Sequence, residues 1–165
     1  MAVESKFVNS DLGTGTLLDS KSNGGTSIKW ARATEEVAVA DDNGSVYGYF
    51  LISSSDALKS LKVWNDAITN GTDYDVGLYN YDRENNTIGT VVDKDCFADG
   101  LDLSSAADAT NALTAPNIDE LHKSIWEYAS LSLTADPKKT YVIAVTGNTV
   151  GTAAGTITLD VEVAA

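Results

Sequence analysis

The chain has 165 residues, 43% of them apolar and 21% charged, enough for one domain that buries roughly two-thirds of the surface its unfolded form would expose. Eleven basic residues against 24 acidic ones leave a formal charge of −13, and the densest basic run is only Lys138-Lys139. Such a surface repels a phosphate backbone, so direct nucleic-acid binding is excluded as an expected role.

The single Cys96 has no partner for an internal disulfide, so the fold must rest on its core. The opening MAVESKFVNSDLG carries no basic patch followed by an apolar block, and a protein made in the cytoplasm without a secretory leader is expected. No apolar run approaches the ~20 residues that span a bilayer, and no membrane partner is expected.

Residues 1–27 are rich in Gly, Ser, Thr and Asn, with apolar residues singly or in pairs. Neither a helical nor a strand period survives there, so an extended N-terminal arm is expected ahead of a domain at 28–165. From Ser27 the pattern tightens. Ile28 and Trp30 alternate with Lys29, and Glu35, Val37 and Val39 with Glu36 and Ala38. Asp41-Asp42-Asn43-Gly44 then predicts a hairpin turn. Val46 to Ile52 is apolar on both faces, with Tyr47, Tyr49 and Leu51 opposing Val46, Phe50 and Ile52, as in a central strand covered on both sides.

The stretch Ser60 to Asp82 holds the clearest alternation. Leu61, Val63 and Ala67 are expected inward against Lys62 and Asp66, and Tyr74, Val76 and Leu78 inward against Asp75, Tyr79 and Tyr81. With Thr69-Asn70-Gly71-Thr72 between them, the two runs read as an antiparallel hairpin. Arg83-Glu84-Asn85-Asn86 turns the chain again, and DKDCFADGLDLSSAADATNA reads as an acidic loop with short apolar islands. Asn117 and Glu120 form a capping box, preceded by Pro116, with the stripe Ile118, Leu121, Ile125 and Tyr128, which predicts one short helix at about 117–129. Strands Tyr141 to Thr146 and Thr156 to Val163 close the chain; in the last, Ile157, Leu159, Val161 and Val163 point inward. The sum is an all-β, two-sheet antiparallel sandwich; a jelly roll is the expected winding, with the strand order left to the tertiary structure.

Little in this chain invites chemistry. His122 is the one histidine, and its place near the apolar stripe reads as a partly covered structural residue, not a triad member. Asp93, Asp95, Asp99 and Asp102 suggest calcium, but Phe97 and Ala98 occupy positions where an EF-hand needs a ligand and a glycine, and no Glu closes the loop. A solvated acidic segment is the expectation, with no metal and no cofactor. No carboxylate pair stands out for glycosidase work, and Gly13-x-Gly15 and Gly24-Gly25 lack the Lys and helix of a phosphate cradle. Trp30, Trp64, Tyr79 and Tyr81 would make a sugar-stacking platform if they shared one exposed face; packing within the fold is the commoner use. The expectation is a protein that is not an enzyme.

Five segments carry a resemblance: WARATEEVAVADDNGSVYGYF (Trp30 to Phe50), LKSLKVWNDAITNGTDYDVGLY (Leu58 to Tyr79), VVDKDCFADGLDLSSA (Val91 to Ala106), IDELHKSIWEYASLSLTADPKKTYVIAVT (Ile118 to Thr146) and GTITLDVEV (Gly155 to Val163). Together they resemble the small acidic proteins that decorate, or cement, tailed-bacteriophage capsids, over about residues 28–163. NDAITNGTDYDVGLY is the most specific piece.

The resemblance implies a jelly-roll sandwich on the outer capsid surface of a virion, bridging major capsid protein subunits as a small homo-oligomer, dimer or trimer. It brings no catalytic or cofactor residues. A carbohydrate-binding sandwich module and another head or tail component, such as a fibre base, are the alternative readings. Within the arm, Val3, Phe7, Val8, Leu12, Leu17 and Leu18 are more apolar anchors than a spacer needs. They are the expected contacts to a capsid subunit or a neighbouring copy, with the arm ordering as it docks.

Overall fold

A computed structural model describes the backbone of residues 5–7 and the whole of residues 28–164. Its strands are β1 (Ser5–Phe7), β2 (Ile28–Val37), β3 (Ser45–Ser53), β4 (Ala57–Asn65), β5 (Asp73–Asp82), β6 (Thr87–Leu101), β7 (Ala107–Asn111), β8 (Thr140–Thr149) and β9 (Gly155–Ala164). One sheet has the order β1-β3-β8-β5-β6 and the other β2-β9-β4-β7. Every pairing is antiparallel except that of β1, which runs parallel to β3. The expected all-β sandwich is therefore the observed one.

The pairings nest. β2 lies beside β9, β3 beside β8, β4 beside β7 and β5 beside β6, the order made by rolling up one long hairpin. From β2 onward, only the β5–β6 link keeps consecutive strands in one sheet. Two expected hairpins are thereby corrected. The Asn43-Gly44 turn exists, with Gly44 at φ 92, but it carries the chain from one sheet to the other. Gly44 donates its N–H to the Gly147 carbonyl at 2.7 Å and Asn43 accepts from the Val150 N–H at 3.0 Å, tying the turn to β8 and its sequel.

The Ser60 to Asp82 stretch crosses between sheets as well. β4 pairs with β9 and β7, β5 with β8 and β6. The reason is Ile68. It is fully buried in the core, and its N–H bonds the Leu103 carbonyl at 3.0 Å, whereas Ala67, expected inward, is exposed. A buried apolar residue inside the connection pulls it across the ~10 Å between packed sheets.

The inward faces otherwise follow the alternation. Leu61, Val63, Tyr74, Val76, Leu78, Ile157, Leu159 and Val161 are all in the main core. In β3 a bulge between Gly48 and Phe50 shifts the phase. Phe50 and Ile52 join Tyr47 and Tyr49 inside, while Val46 and Leu51 pack on the opposite face with Tyr79, Val142 and Ala144. The core tyrosines find partners: Tyr47 donates to Asp41 at 2.8 Å, Tyr49 to the Ile157 carbonyl at 3.1 Å and Tyr74 to the Val150 carbonyl at 2.7 Å.

Two further expectations are corrected. The segment read as an acidic loop forms β6 and β7. The segment at 117–129 is not an α-helix but a run of turns with 3-10 pieces at Ile125–Glu127 and Ala129–Leu131. Half of the capping box does form, the Asn117 N–H donating to Glu120 at 2.9 Å. The helix fails because its backbone donors are taken elsewhere. Ile125 and Trp126 donate to the Asp56 and Ser54 carbonyls at 2.9 and 3.1 Å, binding the segment to the sandwich instead of to its own preceding turn. Ile125 and Tyr128 are buried as expected, but Ile118 is 86% exposed. His122 is exposed, not partly covered.

Candidate functional site

The expected contact residues Val3, Val8, Leu12, Leu17 and Leu18 lie outside the described residues, as does the side chain of Phe7. The Phe7 backbone belongs to β1, opposite Gly48 of β3.

The four aromatics considered as a sugar platform are not brought together. Trp30 and Trp64 both contact Arg32, whose guanidinium lies 5.5 Å and 5.3 Å from their ring centroids and pairs with Asp160 through both of its oxygens. Neighbouring registers of β2, β9 and β4 place this group on the outer face of their sheet. Arg32 thus occupies space between the rings that a sugar would need. Tyr79 is buried in the other sheet, bonded to Thr146 at 2.6 Å, and Tyr81 donates to Asn86 at 2.7 Å.

The acidic run is divided by a large irregularity in β6. Leu78 pairs with Asp93 but Val76 with Ala98, so β6 spends more residues than β5 over this span. The surplus bulges over Gly77, where a Cβ would stand 2.2 Å from the Asp93 carbonyl oxygen; only glycine fits. Lys94 emerges on one side. It pairs with the buried Asp75 at 2.8 Å, which also accepts from Asn148 at 2.6 Å and from the Gly100 N–H at 3.1 Å. Asp75 was expected on a solvent face, but it is only 1% exposed. Burial pushes its carboxyl pKa up, yet the bonds from Lys94, Asn148 and Gly100 together outweigh that and hold it below its ordinary value.

On the other side, Asp93, Asp95 and Asp99 line a cavity of ≈ 290 Å³ with Pro116, Glu120 and Tyr128 among its walls. A hydrogen bond shared with Asp93, partial burial, and the charges of Asp93 and Asp75 push the Asp95 carboxyl above its ordinary value. Glu120 is committed: its two oxygens accept from the Asn117 and Ala129 N–H groups at 2.9 and 2.6 Å. Asp102 is elsewhere, accepting from the Ser104 N–H at 2.9 Å. Among the described residues, no three acidic, histidine or cysteine side chains converge closely enough to hold a metal ion. Sequence reasoning missed the Asp75–Lys94 pair and the part of Tyr128. The available signal was the i, i+2 spacing of Asp93 and Asp95, which puts both on one face of a strand.

Elsewhere Arg83, Lys138 and Lys139 line a shallow cleft, the basic counterpoint on an acidic chain. An apolar groove between the sheets is walled by Trp30, Phe50, Ile52, Ile143, Val161 and Val163.

The fold is similar to a chain in the capsid of Ralstonia phage GP4, with 14% sequence identity, a TM-score of 0.50, and 82% of this chain and 83% of that chain covered. It is also similar to a chain in the Cyanophage Pam1 capsid asymmetric unit, with 12% identity, a TM-score of 0.49, and coverage of 94% and 97%. At these identities the likeness is one of fold. No protein-family model and no curated protein matches the chain.

Proposed function

We propose that the chain is a structural virion protein that binds the outer surface of a phage head and stabilises it by bridging major capsid protein subunits, without catalysing a reaction. The observation that carries this reading is the fold shared with a chain of the Ralstonia phage GP4 capsid over most of both lengths. The nested strand pairing supports the jelly-roll part of the reading, since that winding recurs in viral capsid domains. A charge of −13 suits a surface facing solvent on a shell packed with nucleic acid. Many copies making modest contacts stabilise a shell by multivalency.

The test is to add the purified full chain to heads lacking any decoration. Density repeating at symmetry-related surface positions, with heads that disrupt at a higher temperature, is the expected result. Heads that gain no density at saturating protein would overturn the reading. The arm enters the same assay through Val8, Leu12, Leu17 and Leu18, all replaced by Ser, which leaves β1 intact. The variant should melt as the parent does and bind heads far more weakly; full-strength binding would move the contact onto the sandwich.

A further inference from the structure

The two sheets end in four edge strands, and three of these edges are blunted. β1 is three residues long. β7 has five, pairs with β4 in a broken register and holds Ala109 at φ 54. The register of β6 against β5 breaks four times. Short, bulged edges are how sheets avoid pairing with foreign strands. β2 is different. Its ten residues keep an unbroken register with β9, from Ile28 opposite Ala164 to Val37 opposite Gly155, and IKWARATEEV contains no proline or glycine. The direction of its backbone groups is set across the sheet. The Asp66 N–H bonds the Thr156 carbonyl, so Thr156 and every second residue after it in β9 turn toward β4, and the residues between them turn toward β2. Lys29, Ala31, Ala33 and Glu35 therefore bond β9. The N–H and C=O groups of Trp30, Arg32, Thr34 and Glu36 point out of the sheet edge, and none has a backbone partner among the described residues.

We propose that β2 is a docking edge for the β2 of a second copy of this chain, the two strands running antiparallel about a twofold axis beside Ala33. The charges select this partner. Lys29 and Arg32 stand in the first half of β2, Glu35 and Glu36 in the second. Arg32 is bound to Asp160, but Lys29, Glu35 and Glu36 have no ion-pair partner among the described residues. In an antiparallel twin each basic half lies against an acidic half, whereas an unrelated strand meets uncompensated charge. With the axis at Ala33, Trp30 lies opposite Glu36 of the second copy and Arg32 opposite its Thr34, so every outward backbone group named above finds a partner. Lys29 and Arg32 then lie diagonal to Glu35 and Glu36 of the second copy, within reach of long side chains. The small side chain of Ala33 suits the axis, where a non-hydrogen-bonded pair approaches closely. Ile28 and Val39, 44% and 65% exposed, flank opposite ends of β2, and the twin brings one from each copy to the same end of the joint. The two four-stranded sheets thus continue as one. This pairing does not depend on the virion reading above.

The experiment follows the full chain by amide hydrogen exchange and by sedimentation over a range of concentrations. Protection at the Trp30, Arg32, Thr34 and Glu36 N–H groups should rise in step with dimer formation, while the β7 edge stays unchanged. Thr34→Pro removes an outward N–H and spares the ladder to β9, the one place in a sheet where proline is tolerated. Glu35→Lys combined with Glu36→Lys sets like charges against each other across the joint. Each variant should weaken dimerisation about tenfold or more and keep the parent's cooperative melt. Should Thr34→Pro fail to fold, the charge variant and the parent's exchange decide. A chain that stays monomeric at every concentration, a dimer without added protection at these four amides, or undiminished dimerisation in the folded variants would each overturn the proposal. Protection of the same amides only when undecorated heads are added would assign the edge to a capsid strand and equally overturn the twin.

Discussion

Replacing Asp75 by Asn changes one atom and should be felt by the whole domain. One Asp75 oxygen accepts from the Gly100 N–H at 3.1 Å; the other accepts from Asn148 at 2.6 Å and from Lys94 at 2.8 Å. An amide must turn its NH2 toward one of these two sets of donors. The smaller conflict leaves the Gly100 N–H unpaired, which costs about 1–3 kcal/mol. Losing the charge on the bonds to Lys94 and Asn148 adds about 1 kcal/mol, kept small because Lys94 is half-exposed and screened. The sum, about 2–4 kcal/mol, is a large part of an ordinary domain's stability and corresponds to roughly 5–15 °C in melting temperature at this size.

Acidification provides the check on cause. The folded-state pKa of Asp75 lies below its unfolded value, so its contribution is complete above the ordinary carboxylate pKa of about 3.9 and is lost as pH falls through the depressed folded value. The gap between parent and Asp75→Asn should therefore be full at neutral pH and narrow in acid. Circular-dichroism melts across that range are the assay. A variant melting with the parent at neutral pH, or a gap that persists unchanged in acid, would refute the argument.

Leu78→Asp places a carboxylate at a fully buried position of β5, at a cost of several kcal/mol; it should abolish the cooperative melt. Gly77→Ala drives a Cβ to 2.2 Å from the Asp93 carbonyl oxygen and 2.3 Å from the Lys94 carbonyl carbon, both backbone. Urea unfolding should show a loss at or above the top of the ~1–3 kcal/mol range for overpacking. Gly100→Ala, at φ +67 with open space around it, should lose only the ~1–2 kcal/mol of a left-handed backbone. Melts with and without EDTA should superimpose; a drop of more than roughly 5 °C, worth over 1 kcal/mol, would point to a bound ion near Asp93.

The alternation of Leu61 with Val63, of Tyr74 with Val76 and Leu78, and of Ile157 through Val161 was legible in the chain because side chains in a strand change face at every step. That local rule is enough to establish strands, their inward faces and an all-β sandwich. It says nothing of which strand lies beside which. Asn43-Gly44 and Asn70-Gly71 are good turns in either a hairpin or a crossing between sheets, and only the packing of Ile68 and the bonds from Gly44 to Gly147 decide for the crossing. Bulges escape the rule in the same way. The extra residue in β3 and the surplus in β6 reset the phase, turning Phe50 inward and carrying part of β6 over Gly77. The segment at 117–129 had the start signal and half the apolar stripe of a helix. Its Ile125 and Trp126 N–H groups found the Asp56 and Ser54 carbonyls instead, partners far away in sequence that exist only once the sandwich has formed. Asp75 belongs to the same class: whether a polar group on a strand meets water or a lysine depends on what the tertiary fold brings across from elsewhere.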